Sequence, residues 1–545
     1  MTRFDWQNPY PTMRTPVFAR NIVSTSHPLA AQAGLRMMWQ GGNAVDAAIA
    51  AAAVLTLVEP VSCGLGGDAF ALVWAGGKLH GLNSSGVAPQ AWNVDYFKQK
   101  YGETKGIANH PVRGWDAATV PGVVAGWEAL HGKFGKLPFA DLLAPAIEIA
   151  ERGHVVANIV ARKWAAAIPE LHAMPGYAQT FMPRGRAPET GEKIVYPGHA
   201  KTLRRLAEKG ARDFYEGETA ERIAAFSREC GGSMTTSDLR NYKADWVEPI
   251  GKSYRGHTVH EIPPNGQGIA ALIALGILEK FDVASLPVDG IESQHLQIEA
   301  MKLAFADVYR YVADPRSMEV TPEQMLDDAY LSSRAKLIDR TRATQFDFGM
   351  PQAGGTIYLS ASDDSGMMVS FIQSNYMGFG SGIVVPDTGV SMQNRGFGFS
   401  MDPKSPNVVA GGKRPFHTII PAFLTKEVDG VQQAVMSFGV MGGDMQPQGH
   451  LQTIVRMLDY GQQPQAACDA PRWKVNVDFS VAVEPTLDPG VTQALQARGH
   501  VLETIKDSYM DFGSGQFIWK LDESDPDRGY VAASDSRRDG LAAGF

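Results

Sequence analysis

Cysteine is scarce in this 545-residue chain: Cys63, Cys230 and Cys468 are far apart in sequence and odd in number. That excludes a disulfide framework and a cysteine zinc site, and leaves the three as plain buried or half-buried thiols. Positive charge is not in excess either. With 50 Lys and Arg against 58 Asp and Glu, a net charge of -8 and no basic block, nucleic acid and anionic membrane are poor partners. Long apolar runs are missing. The most apolar early stretch, Ala44 to Val58, contains Asp46 and stops at Glu59, too short to span a bilayer, and reads as a buried helix. The first ten residues carry Arg3 and Asp5 and lack the apolar core of a secretory signal, which gives the expectation of a cytoplasmic protein.

Familiar catalytic signatures are also absent. There is no G-x-x-x-x-G-K-[ST] phosphate loop, H-E-x-x-H helix, G-x-S-x-G elbow or C-x-x-C pair. His260-Glu261 begins like a zincin but continues Ile262-Pro263-Pro264, so no second histidine can share its helical face. No fixed-period repeat and no Gly/Ser linker divides the chain. Length alone favours two or more domains, yet one large layered body fits equally well.

What the chain does have is glycine, 57 residues of it, in short strings such as Gly41-Gly42, Gly354-Gly355 and Gly442-Gly443. Gly64-Leu65-Gly66-Gly67 precedes a strand instead of opening a helix, so it reads as a tight structural turn more than an anion cradle. Helical periodicity marks Leu29 to Gln40, Ala44 to Val58, Ala140 to Arg152 and Ser293 to Val312. Strand patterns mark Phe70 to Trp74, Ile357 to Ser362, Met367 to Ser374, Thr418 to Thr425 and Gln433 to Phe438. Asp363-Asp364-Ser365-Gly366 is a hairpin turn, whose two carboxylates read as a solvated turn and not as an acid–base pair. Strands packed under helices imply an α/β or α+β layered fold.

Gly354-Gly355-Thr356 opens that hairpin. If the bond before Thr356 is cut, the freed α-amine can act as base for the residue's own hydroxyl, so one residue supplies both nucleophile and base. The glycines leave the scissile carbonyl open to attack. By itself Gly-Gly-Thr before a strand is only a loop ending.

The chain as a whole resembles the γ-glutamyltransferase family of N-terminal-nucleophile hydrolases. The resemblance rests on Gly41-Gly42-Asn43-Ala44-Val45-Asp46-Ala47-Ala48, Gly64-Leu65-Gly66-Gly67-Asp68-Ala69-Phe70 and Thr119-Val120-Pro121-Gly122. It continues through Glu299-Ala300, Gly380-Ser381-Gly382, Lys413-Arg414-Pro415, Gly442-Gly443 and Ala533-Ser534-Asp535 with Arg537. It implies a four-layer αββα sandwich, cut between Gly355 and Thr356 into a large piece, 1–355, and a small piece, 356–545, that stay together as one intertwined unit. Thr356 falls at the family's nucleophile, Ser374 at its helper hydroxyl, and Gly442 and Gly443 at its oxyanion donors. No metal or organic cofactor is implied.

The head-group residues depart from the family. Ser85 stands where an arginine clamps the substrate α-carboxylate, Tyr376 where an asparagine follows the helper hydroxyl, Gly398 where an acid receives the α-amine, and His417-Thr418 where the family has paired serines. Such rewriting resembles the cephalosporin-acylase-like branch. Ser85, Tyr376, Arg395, His417 and Thr418 are therefore the expected substrate-contacting set, with His417 as pocket lining. Arg395 or Arg113 is a candidate for a substrate carboxylate, though either fits a structural arginine, Arg113 more so. The expected function is hydrolysis or transfer of γ-glutamyl amides such as glutathione. The alternatives are an acylase for glutaryl or other dicarboxylic monoamides, and an uncleaved binding protein. The expected partners are a small-molecule amide and the two pieces of one precursor, with further self-assembly left open.

Overall fold

In this computed structural model the described residues are 14–344, 355–505, 507, 511–522, 525 and 528–545. The first ten residues and Gly354, singled out above, lie outside them.

Two seven-stranded antiparallel sheets form the centre. The first has the order Leu541–Gly544, Ile22–Thr25, Gly355–Ser362, Met368–Tyr376, Asp68–Ala75, Lys78–Ser84, Asp245–Val247. The second has the order Val17–Ala19, Tyr530–Ser534, Ser514–Lys520, Val431–Met441, Ala422–Val428, His257–Glu261, Ile250–Tyr254. Both sheets contain strands from before and after Thr356.

Side-chain alternation along the strands sorts three apolar cores, as period-2 geometry requires. In Gly355–Ser362, Ile357, Leu359 and Ala361 point to one face and pack with the helices Pro28–Trp39, Ala44–Val58 and Phe139–Arg152. Tyr358 points to the other face and joins Phe70, Ile372, Phe423 and Ile518 between the two sheets. Beyond the second sheet, Val440, Leu424 and Phe438 pack under the helices Ile269–Leu278, Ile291–Tyr311 and Met445–Leu458. The result is four layers, helix–sheet–sheet–helix, as expected from the resemblance.

The helix Ala44–Val58 is buried along its entire length. It starts where Asn43 accepts from the backbone of Val45 and Asp46 while Asp46 accepts from Asn43, a capping box. One turn residue departs from expectation: Asp363 is buried, not solvated, and its carboxylate accepts the Ala44 backbone N–H at 2.8 Å, tying the hairpin to this helix. A second departure concerns Thr418 to Thr425, whose strand begins only at Ala422. Ile419 and Ile420 spend their N–H groups on the side chains of His417 and Gln446 instead of a neighbouring strand. Of the cysteines, Cys63 and Cys468 are buried and Cys230 is exposed; all three are free.

Candidate active site

Thr356 sits on the face of the first sheet that looks toward the second. Gly355 lies opposite Tyr376 and Ile357 opposite Gln373, so Ser374 and Asn375 together oppose Thr356 in a bulge. The bulge brings Ser374 to the threonine: Thr356 Oγ1 donates to Ser374 Oγ at 3.3 Å. Gln446 Nε2 approaches Thr356 Oγ1 at 3.4 Å from the other side. This glutamine stands in the first turn of Met445–Leu458, whose N-terminal end carries partial positive charge toward the threonine.

Gly442 and Gly443 precede that helix with φ of 122° and 60°, values that favour glycine. A Cβ on Gly442 would come within 2.9 Å of the Gly513 Cα. Gln267 Nε2 pins this corner by donating to the carbonyls of Gly443, at 3.0 Å, and Thr418, at 2.7 Å.

Arg395 is completely buried beside Ser374. Its Nη2 donates to Ser374 Oγ at 3.2 Å and its Nη1 to Thr418 Oγ1 at 2.7 Å, while the guanidinium lies 4.1 Å from the Tyr376 ring centroid. Tyr376 has φ of 77°, a strained value for an aromatic residue, and its N–H is held by Ser374 Oγ at 2.8 Å. The Arg395 Nε is buried with no hydrogen-bond partner. Burial pulls the guanidinium down to about 10, against the pull of Tyr376, Asp68 and Asp444, so it remains a cation at neutral pH.

His417 is tied down. Ile419 N–H donates to its Nδ1, so Nε2 carries the proton and donates to Asp68 Oδ2 at 3.0 Å. Burial, helped by the Arg395 and Arg414 cations, pushes its pKa well below the ordinary histidine range, and the ring stays neutral. Burial raises Asp68 to about 7 although Arg395 opposes it. Ser85 is buried in a polar knot with Asn83 and Asn265. Arg113 is settled by other partners: it forms an ion pair with Glu170 at 2.7 Å and donates to the Gly378 carbonyl. It is not brought to Thr356.

Gln446, Gln267 and Asp68 were not among the sequence candidates. For Gln446 a signal existed in its spacing, three residues past Gly443 at a helix start. Asp444 was missed as well: burial raises it to about 7 against Lys474 and Arg395, and its Oδ1 has no partner.

A threonine near a strand start between two sheets, a hydroxyl beside it and a glycine corner at a helix end thus come together in one place. The chain matches gamma-glutamyltranspeptidase over residues 30–545 and belongs to that family of enzymes. It is 35% identical to the glutathione hydrolase-like YwrD proenzyme of Bacillus subtilis, covering 98% of this chain and 100% of that one. It is 36% identical to the oxamate amidohydrolase proenzyme of Klebsiella pneumoniae, covering 97% and 99%. Its fold superposes on a crystal structure of a cephalosporin acylase from Bacillus halodurans with a TM-score of 0.93 and 47% identity, covering 100% of this chain and 99% of that one. Among the described residues, no helix is long and apolar enough to cross a membrane.

Proposed function

We propose that the chain cuts itself between Gly355 and Thr356, and that the freed threonine hydrolyses amides whose acyl part carries a carboxylate. In maturation, Thr356 Oγ attacks the Gly355 carbonyl carbon and the peptide C–N bond breaks as the ester forms. Water then hydrolyses the ester, leaving a Gly355 carboxylate and a free α-amine on Thr356. In turnover the amine takes the Oγ proton as Oγ attacks the substrate carbonyl, and passes it to the leaving nitrogen. Ser374 orients Oγ, and the Gly442 and Gly443 N–H groups receive the oxyanion. Water resolves the acyl-enzyme and restores the hydroxyl.

The observation that carries the acyl preference is Arg395: a fully buried cation, one hydroxyl away from Thr356, with an unpartnered N–H. A buried charge in that condition calls for an anion. Gly398 offers no acid for an α-amine, which favours a dicarboxylic monoamide over a γ-glutamyl amide. The names of the relatives, a glutathione hydrolase-like protein, an oxamate amidohydrolase and a cephalosporin acylase, all fit amide hydrolysis. The γ-glutamyl reading keeps one observation in its favour, the unpartnered carboxyl oxygen of Asp444.

The test is the intact mass of the purified protein and of Thr356→Ala under denaturing conditions, followed by amide hydrolysis. Two fragments meeting at Gly355 and Thr356, and a single chain for Thr356→Ala, are expected. A single chain in both, with no hydrolysis, sinks the reading.

A further inference from the structure

The contacts around Arg395 limit how long the acyl group can be, an inference that rests on the carboxylate reading above. Thr356 Oγ1 lies 3.3 Å from Ser374 Oγ, and Arg395 Nη2 lies 3.2 Å from the same oxygen. The guanidinium nitrogen therefore stands no farther from the nucleophile than the sum of those two contacts. Into that span must fit an attack distance of about 3–3.5 Å, the acyl chain, and a charge-assisted hydrogen bond of about 2.8 Å. When the carboxylate is bonded directly to the reacting carbonyl, the two carbons are about 1.5 Å apart, and with the carboxylate C–O bond the path is roughly 8.5–9 Å, which closes on that span by bending at the carbonyl and carboxylate carbons. A glutaryl chain puts four bonds between them, roughly 5 Å when extended on ordinary bond lengths. Its carboxylate overshoots the guanidinium unless the chain folds back.

A chain that folds back meets close neighbours on two sides of the guanidinium. Arg395 is 0% exposed, and the Tyr376 ring covers one side of its guanidinium at 4.1 Å. Behind it, Thr418 accepts from Nη1, and His417, tied to Asp68, lies against Phe70 with ring centroids 4.9 Å apart. The arginine's own Nε is a buried donor with no hydrogen-bond partner.

We infer that the substrates are monoamides of two- or three-carbon diacids, of the oxamic or malonamic type, with Arg395 as the residue that sets acyl length. The bond broken is the amide C–N; water supplies the hydroxyl of the new carboxyl and a proton to the amine, and no oxidant or reductant takes part. Glutaryl and γ-glutamyl amides are poor substrates on this geometry.

The experiment is a series of p-nitroanilides on the processed protein: oxalyl, malonyl, succinyl, glutaryl, γ-glutamyl and, as the neutral control, acetyl. Each kcat/KM is divided by that anilide's alkaline hydrolysis rate, to remove intrinsic reactivity. The expected result is that oxalyl or malonyl exceeds glutaryl at least ~10-fold, the weight of one charge-assisted hydrogen bond, and that Arg395→Lys, which keeps the charge but loses the planar fork, flattens the ranking. Glutaryl or γ-glutamyl matching or exceeding the short acyl groups overturns the length limit and leaves the carboxylate reading standing. Acetyl turning over as fast as oxalyl, or no anilide being hydrolysed by a correctly cut protein, overturns both. The wild-type ranking decides even if the variant does not fold.

Discussion

The gap between the two sheets has two ends built on opposite demands. Along the strand Asp68–Ala75 the residues facing the gap are Trp74, Leu72, Phe70 and then Asp68, set against Met368, Ser370, Ile372 and Ser374 of the adjoining strand. Within a few residues the same surface passes from apolar packing, with Trp74 stacked on Phe423 at 6.1 Å, to a polar cluster around Thr356 and Arg395. The apolar end holds the sheets together. The polar end leaves buried groups without partners, Arg395 Nε and Asp444 Oδ1, each costing about 1–3 kcal/mol. Stability and chemistry are thus separated along one pair of strands.

The strongest way to break this contrast is at the apolar end. Phe423→Ala is expected to lower the unfolding free energy by about 3–5 kcal/mol, read as a drop in denaturant midpoint, with kcat/KM unchanged. An equal loss of activity would show that the two ends are not separable. Next comes Arg395→Gln, which should reduce kcat/KM on carboxylate-bearing amides by about 2–5 kcal/mol while the denaturant midpoint holds or rises, since an incompletely paired buried cation is removed. A large fall in midpoint would make Arg395 a structural residue. The smallest effect is in pH dependence. On the proposed mechanism the freed α-amine of Thr356 acts as a base only when neutral, so kcat/KM should fall as pH drops through its pKa. The Arg395 cation disfavours an ammonium nearby and should hold that pKa below the usual range of about 7.7–8.0; Arg395→Gln should move it upward. An unmoved profile would place the amine out of reach of this charge.

Legibility in the sequence followed the range of the interactions. The hairpin after Thr356 was readable because its turn, Asp363 to Gly366, is local chemistry, and the helix Ala44–Val58 because it is a nearly unbroken apolar run. The burial of Asp363 was not, because its partner, Ala44 N–H, is 319 positions away. Thr418 to Pro421 looked like strand because the residues are apolar or β-branched, yet side chains from elsewhere take up the backbone donors. Arg113 and Arg395 look alike in sequence. Glu170 beside one, and Ser374 and Thr418 beside the other, give them different surroundings. Thr356, Ser374 and the two glycines came from resemblance, whereas Gln446 and Gln267 emerged only from the tertiary arrangement.

The mixing of earlier and later strands within each sheet has a thermodynamic consequence for a chain cut at Thr356. Neither piece contains a complete sheet: the first needs Gly355–Ser362, Met368–Tyr376 and Leu541–Gly544 set among earlier strands, and the second needs Val17–Ala19 and Ile250–Glu261 at its two edges. Before the cut, regaining the fold is a first-order event within one molecule. After it, two molecules must meet, and recovery after complete unfolding depends on their concentration. On the proposed cut, maturation would act as a ratchet: the chain folds first, and the cut removes the unimolecular route back.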